Sequence, residues 1–257
     1  MKIAIITGAS SGLGREMAKR IGKYYPDVEE IWLIARRRER LEKLRDVLPG
    51  VVCRVMPLDI TKEEDQEQYA ATLQKEWPEV RLLVNNAGYG VLGDFATADL
   101  QRQLGMVDLN IRALTAMTHL TLKFMGRGSR MINISSIASF VPNARMAVYS
   151  ATKYYVRAFS RSLGLELKNR GITVTAVCPG PMTTEFEAVA GIHHNSKVFE
   201  WLPRVPASKV ADGALRHAAH GRPVYTPGAF YKFYRVISAF LPDTLLMHTA
   251  KAEIKKE

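Results

Sequence analysis

Short, wholly apolar runs alternate with amphipathic stretches along the 257-residue chain. Ile3-Ala4-Ile5-Ile6 is apolar without a break, as a strand covered on both faces should be. Helical periodicity follows from Arg15 to Tyr24. The apolar run returns at Ile31–Ile34, Val51–Leu58, Leu82–Val84, Met131–Ile134 and Ile172–Val177, with Pro223–Thr226 a seventh candidate. Between these runs, the spacing predicts helices over 39–48, 62–77, 100–125 and 148–169. Leu41, Leu44 and Leu48 make the stripe of the first. Strands alternating with helices predict an α/β fold: one doubly wound parallel sheet, right-handed crossovers, and helices on both faces. No repeat, low-complexity tract or linker interrupts it. One body over residues 1–228 is the economical reading, with 229–257 an amphipathic helix and tail.

Composition narrows the class. Hydrophobic residues make up 47% and charged residues 24%, a globular balance. Thirty-six Lys and Arg against 25 Asp and Glu leave a net charge of +11. That excess invites an anionic partner: nucleic acid, a membrane surface or a phosphorylated small molecule. Cys53 and Cys178 make no disulfide framework, and each sits in a short apolar run. No run reaches the roughly 18–20 apolar residues that span a bilayer. The opening stretch is too short for a secretory leader, so a cytoplasmic, reduced protein is expected.

Thr7-Gly8-Ala9-Ser10-Ser11-Gly12-Leu13-Gly14 joins the first strand to the first helix. Glycines there allow a tight turn and close approach of the backbone to a ligand. A helix start aims N–H groups and its positive dipole end at that turn, the place for a pyrophosphate. The spacing is GxxxGxG, not the GxGxxG of the usual dinucleotide fingerprint.

Further motifs follow in order. Asn85-Asn86-Ala87-Gly88 follows the fourth strand, Asn110 lies in the long helix, and Ser136 follows the fifth strand. Tyr149-Ser-Ala-Thr-Lys153 opens the next helix, and Pro179-Gly180 with Thr184 follows the sixth strand. Through these motifs, spread over residues 1–226, the chain resembles the short-chain dehydrogenase/reductase family, of the type that starts with TGxxxGxG. The resemblance implies a Rossmann-like fold and hydride transfer to or from a nicotinamide cofactor.

Tyr149 and Lys153 are four apart and share a helix face. A tyrosine titrates near pH 10, too high for a base at neutral pH. A nearby ammonium is expected to lower it, making Tyr149 the general acid/base. Ser136 stands 13 positions earlier, the separation used by the family, and would hold the substrate oxygen. Asn110 resembles the fourth member of the family's tetrad, which holds a water linking the lysine to solvent. Its rival reading is a residue that bends the helix or bonds locally.

The second strand ends Ile34-Ala35-Arg36, without the acid that bonds the ribose 2′-OH in NAD enzymes. A neutral residue followed by Arg implies NADP(H) in the family, with the guanidinium on the 2′-phosphate. Ser11 departs from the pattern, since some NADP members carry a second basic residue there. Arg37, Arg38 and Arg40 read as a solvated helix start. By resemblance Gly8, Ser10, Ser11, Gly12, Leu13 and Gly14 hold the pyrophosphate, and Asp59 and Ile60 meet adenine. Asn86, Ala87 and Gly88 line the ribose side, while Pro179, Gly180, Met182 and Thr184 meet the nicotinamide. Tyr149 and Lys153 complete that set. No metal site is expected, and His193-His194 lacks an accompanying acid or Cys cluster.

Residues 185–205 occupy the place of the family's substrate lid. Ile192, Val198, Phe199, Trp201 and Leu202 make the segment apolar, which predicts a hydrophobic ketone or secondary alcohol as substrate. From 230 to 241, apolar residues fall at 230, 233, 237, 240 and 241, with Lys232 and Arg235 between them. This helix has three open readings: a pocket or subunit contact, a weak membrane-surface contact through 230–247, or ordinary core. A homodimer or homotetramer is implied by the resemblance. Competing functions are a 3-oxoacyl thioester reductase and a non-catalytic cofactor sensor. A nucleic-acid binder is disfavoured, because no basic-aromatic stripe accompanies the charge.

Overall fold

The computed structural model describes residues 1–48, 50–191 and 202–249. Seven strands form one sheet: β1 (Lys2–Thr7), β2 (Glu30–Ile34), β3 (Val52–Met56), β4 (Glu79–Asn85), β5 (Arg130–Ile134), β6 (Thr173–Val177) and β7 (Val224–Tyr225). Their order is β3-β2-β1-β4-β5-β6-β7, and every pair is parallel. The strand order reverses at β1, whose neighbours are β2 and β4.

Successive side chains of a strand point to opposite faces, and each face feeds its own core. Ile3, Ile5, Trp32, Leu83 and Met131 point one way. They meet Tyr69 of α4 (Glu63–Glu76), Met117 of α6 (Leu114–Leu122) and Leu163 of α7 (Ala147–Glu166). Ala4, Ile6, Leu33, Val84 and Ile132 point the other way. They meet Met17 of α1 (Gly12–Ala18), Ile21 of α2 (Ile21–Tyr24), Leu41 of α3 (Arg38–Asp46) and Leu215 of α9 (Ala207–Ala219). Unbroken apolar strands are therefore required on both sides.

The helix expected over 15–24 is two pieces, with the Arg20 guanidinium donating to the Glu16 carbonyl at the break. The single helix expected over 100–125 starts as α5 (Leu100–Val107). It widens into a π-helical turn at Asp108–Ala113, then continues as α6 and ends at Leu122. Helix α9 has no counterpart among the expected elements. Its buried stripe includes Ala211, Ala214 and Ala218, small side chains that leave a faint hydrophobic period. Of the segment 185–205, residues 185–191, which include helix α8 (Glu185–Val189), and residues 202–205 are described. Ile192, His193, His194, Val198, Phe199 and Trp201 lie outside the described residues.

Two helices end the described chain: α10 (Ala229–Phe240) and α11 (Asp243–Thr249). Of the apolar stripe expected on α10, Ile237 packs inward and Phe230 lines the cavity, whereas Phe233 is 65% exposed and Phe240 82%. The face that packs is Tyr231, fully buried, with Tyr234 and Ile237 against Phe140, Val141 and Cys178. A tyrosine ring is apolar over most of its area and needs one partner for its hydroxyl. Tyr231 donates to the Pro203 carbonyl at 2.7 Å. No described helix is long and apolar enough to cross a membrane.

Gly213 of α9 lies under the ring of Tyr225 on β7. A Cβ there would fall 1.9 Å from the phenol oxygen and 2.2 Å from Cζ. Gly213→Ala should cost about 1–3 kcal/mol through overpacking. Gly22→Ala, in the open space of α2, should melt at or above the wild-type temperature. Thermal melts of the two variants check the pair, and equal melting temperatures would contradict it.

Candidate active site

A cavity of about 900 Å³ opens at the carboxyl ends of the strands, where the strand order reverses. Open parallel sheets place their ligand crevice at that point. One end is lined by Arg36, Asp59 and Ile60, and the middle by Gly8, Ser10, Ser11, Gly12 and Leu13. Asn86, Ala87 and Gly88 line the middle from the other side. At the far end stand Ser136, Tyr149, Lys153, Pro179, Gly180 and Met182, and Thr184 lies beside Gly12. Of the predicted residues, Gly14 and Asn110 stand behind this wall.

The glycine turn is close-packed. Gly8 has φ +68°, and a Cβ on it would fall 2.8 Å from the Asn86 amide nitrogen. On Gly14 a Cβ would fall 2.4 Å from the Gly8 carbonyl oxygen. Gly14 therefore brings α1 up against the turn, its role being packing rather than contact. Thr7 joins the first motif to the second: its hydroxyl oxygen accepts from the N–H groups of Asn86 (3.0 Å) and Ala87 (3.1 Å). The Asn86 side chain donates back to the Thr7 and Gly8 carbonyls at 3.0 and 3.2 Å. Such a cradle fits the pyrophosphate of a dinucleotide.

At the far end, Ser136, Tyr149 and Lys153 come together. Lys153 Nζ donates to the Ile134 carbonyl at 3.0 Å and lies 5.7 Å from the centre of the Tyr149 ring. The Ser135 hydroxyl donates to the Lys153 carbonyl at 2.8 Å, so the adjacent serine is structural. Burial pushes the Tyr149 phenol up to about 12, against a smaller lowering by the hydrogen bond with Ser136. Burial also pulls the Lys153 ammonium down to about 8. The expected lowering of the tyrosine by its neighbour is thus reversed in the protein alone. Each group is nearly dry, and its charged form carries the cost of desolvation.

Asn110 sits in the π-helical turn and is 1% exposed. Its amide donates to the Tyr89 carbonyl at 2.9 Å and the Thr152 hydroxyl at 3.1 Å, and its oxygen accepts from Tyr89 N–H at 3.1 Å. Both amide hydrogens are spent on protein. Asn110 therefore braces the loop after Gly88 against α7. A Cβ on Gly88 would fall 2.8 Å from Asn110 Oδ1 and 3.4 Å from Lys153 Nζ, which explains the glycine.

Arg37, Arg38 and Arg40 stand exposed at the start of α3, as expected, but each also has an acidic partner. Arg36 lines the cavity and makes no hydrogen bond or ion pair with any described residue. Arg38 pairs with Glu42 at 3.7 Å. Arg37 donates to the Ser10 and Ser11 hydroxyls, both at 3.2 Å, and to Glu185 at 3.2 Å. Arg40 holds the same carboxylate at 2.6 and 2.7 Å. The Arg40 guanidinium, then Arg37, keeps Glu185 below the usual carboxylate range. Arg37 thus places a guanidinium beside Ser11.

Of the further lining residues, Phe230 lay on the apolar stripe read from the sequence, whereas Phe186, Tyr231 and Tyr234 were not singled out. Phe186, Phe230, Tyr231 and Tyr234 form an apolar wall at the far end. The Phe186 and Tyr149 rings lie 5.8 Å apart. Tyr231 packs on Gly180, where a Cβ would fall 2.4 Å from its ring. On α10 the face that meets the cavity combines Phe230 of the expected stripe with Tyr231 and Tyr234.

Comparison with known proteins bears on this arrangement. A family model described as short chain dehydrogenase matches residues 2–193. A sulfoacetaldehyde reductase of Chromohalobacter salexigens is 35% identical over 189 residues, covering 72% of this chain and 74% of that one. A serine 3-dehydrogenase of Rhizobium radiobacter is 36% identical over 190 residues, with coverage of 72% and 74%. Among solved structures, a short-chain dehydrogenase from Sphingobium yanoikuyae in complex with NADPH superposes with a TM-score of 0.79. It is 28% identical and is covered over 96% of both chains.

The buried lysine makes stability depend on pH. Its pKa falls from 10.5 in the unfolded chain to about 8 on folding. Between those values the unfolded chain binds more protons, so this group's contribution to stability rises with pH. Below pH 8 the cost of the buried charge is carried in full. Lys153→Met should therefore melt higher than wild type at pH 7, by about 2–6 °C. The gap should narrow as pH rises from 8 to 10.5, and a gap independent of pH would contradict the assignment.

Proposed function

The chain belongs to the short-chain dehydrogenase family of oxidoreductases, and on that premise we propose that it is an NADP(H)-dependent enzyme acting on a hydrophobic ketone or secondary alcohol. The observation that carries the proposal is the convergence of Ser136, Tyr149 and Lys153 at the apolar end of the cavity. When bound, the nicotinamide supplies or accepts hydride. The protein's own part is proton and charge handling. The Ser136 hydroxyl holds the substrate oxygen, and Tyr149 Oη gives that oxygen its proton during reduction. Held near 12 by burial, Tyr149 is protonated at neutral pH and ready to donate. The Lys153 ammonium beside it offsets the negative charge left on the phenol oxygen.

Preference for NADP(H) is supported at the other end. Arg36 faces the cavity with no described partner, Arg37 stands beside it, and no acid ends β2. An arginine fork matches a phosphate better than a ribose hydroxyl. The hydrophobic substrate class is supported by Phe186, Phe230, Tyr231 and Tyr234, which surround the space beyond Tyr149.

Tyr149→Phe should lose about 10²–10⁴-fold in turnover while retaining NADPH binding measured by fluorescence titration. Activity near the wild-type level would exclude Tyr149 as the acid. Arg36→Ala should lower kcat/KM for NADPH by about 10- to 100-fold, with NADH changed far less. Equal losses for the two cofactors would remove the 2′-phosphate from Arg36.

A further inference from the structure

We infer that Glu185 is a stand-in for the cofactor's 2′-phosphate, occupying Arg37 and Arg40 until the nucleotide arrives and then giving way, so that cofactor loading unlatches the start of helix α8. The inference rests on the assignment of the 2′-phosphate to the arginine end of the cavity.

Arg36, Arg37, Arg38 and Arg40 crowd four positive charges into five positions. Arg38 has a local partner in Glu42. For Arg37 and Arg40, the described carboxylate is Glu185, which comes from 145 or more positions away. Its two oxygens sit 2.6 and 2.7 Å from Arg40 Nη1, and one lies 3.2 Å from Arg37 Nη1. The same Arg37 guanidinium reaches the phosphate turn through the Ser10 and Ser11 hydroxyls. Glu185 and Arg37 both line the cavity beside Arg36. An anion is thus already held where an NADP-type nucleotide would bring a second one. A phosphate carries more charge and more acceptor oxygens than a carboxylate and competes for Arg37, the one of the two arginines that lines the cavity. The two anions repel if both stay.

Displacement of Glu185 would be felt at the reacting end. The next residue, Phe186, packs on the Tyr149 ring at 5.8 Å. Glu187, one further on, is buried and paired with Arg204. Three consecutive residues therefore touch the arginines of the nucleotide end, the catalytic tyrosine and Arg204. A nucleotide lacking the 2′-phosphate leaves the first of these contacts in place. Glu185 is accordingly a positioning residue that ties cofactor identity to the state of the substrate wall.

The test uses 2′,5′-ADP and 5′-AMP as probes, titrated calorimetrically into wild-type protein and Glu185→Gln. Wild type is expected to prefer 2′,5′-ADP. Glu185→Gln should tighten 2′,5′-ADP about three- to tenfold, the scale of two exposed ion pairs relieved, and leave 5′-AMP unchanged. Hydrogen exchange at residues 185–191 should speed up in wild type with 2′,5′-ADP but not with 5′-AMP. It should already be fast in free Glu185→Gln. If wild type prefers 2′,5′-ADP but the substitution leaves that affinity unchanged or weaker, Glu185 is no stand-in. Slower exchange at 185–191 with 2′,5′-ADP would overturn the unlatching. Equal wild-type affinity for the two probes would fail the 2′-phosphate assignment itself, and this inference with it.

Discussion

An ammonium buried at the end of a strand organises the reacting half of this protein. Lys153 is 4% exposed and donates to the carbonyl of Ile134, the last residue of β5. Such a group is costly inside a protein unless it is bonded, and its lowered pKa records part of that cost. The surroundings are arranged around the bond. Ser135 holds the lysine's own backbone carbonyl, and Gly88 leaves room for the side chain. Asn110 braces α7 through Thr152, one residue before the lysine. Tyr149 is carried on the same face, one turn earlier.

The other half depends on backbone approach. Because β1 has β2 on one side and β4 on the other, the loops leaving β1 and β4 diverge from adjacent strand ends. Thr7 and Asn86 stitch those two loops together with four hydrogen bonds. Glycines at 8 and 14 allow α1 to lie against that stitch, since either Cβ would collide with it. The result is one continuous cavity, with arginines at one end and an aromatic wall at the other. The two ends are joined through α8, whose first residues touch both.

Much of this was legible because it is local. Buried parallel strands need apolar residues on both faces, so β1, β2, β5 and β6 announce themselves within a residue or two. The glycine turn and the Tyr149–Lys153 spacing are also short-range patterns. Elements whose partners are distant were less visible. Helix α9 buries mainly alanines, whose fit depends on the sheet beneath them. The face of α10 that packs is set by Gly180 and Pro203 as well as by its own hydrophobic period. The π-helical turn at Asp108–Ala113 interrupts a pattern that reads as one long helix.

By itself the sequence determined the alternation of elements, the doubly wound class, and which side chains carry the chemistry, because periodicity and motif spacing are properties of neighbouring residues. The tertiary structure decided their energetics and alliances. It showed that burial raises Tyr149 against the lowering by its hydrogen bond with Ser136, and that Asn110 spends its amide hydrogens on protein. It also showed that Arg37 reaches the Ser11 hydroxyl and pairs with Glu185. Desolvation and ion pairing depend on what surrounds a group in space, and residues more than a hundred positions apart become neighbours only when the sheet has formed.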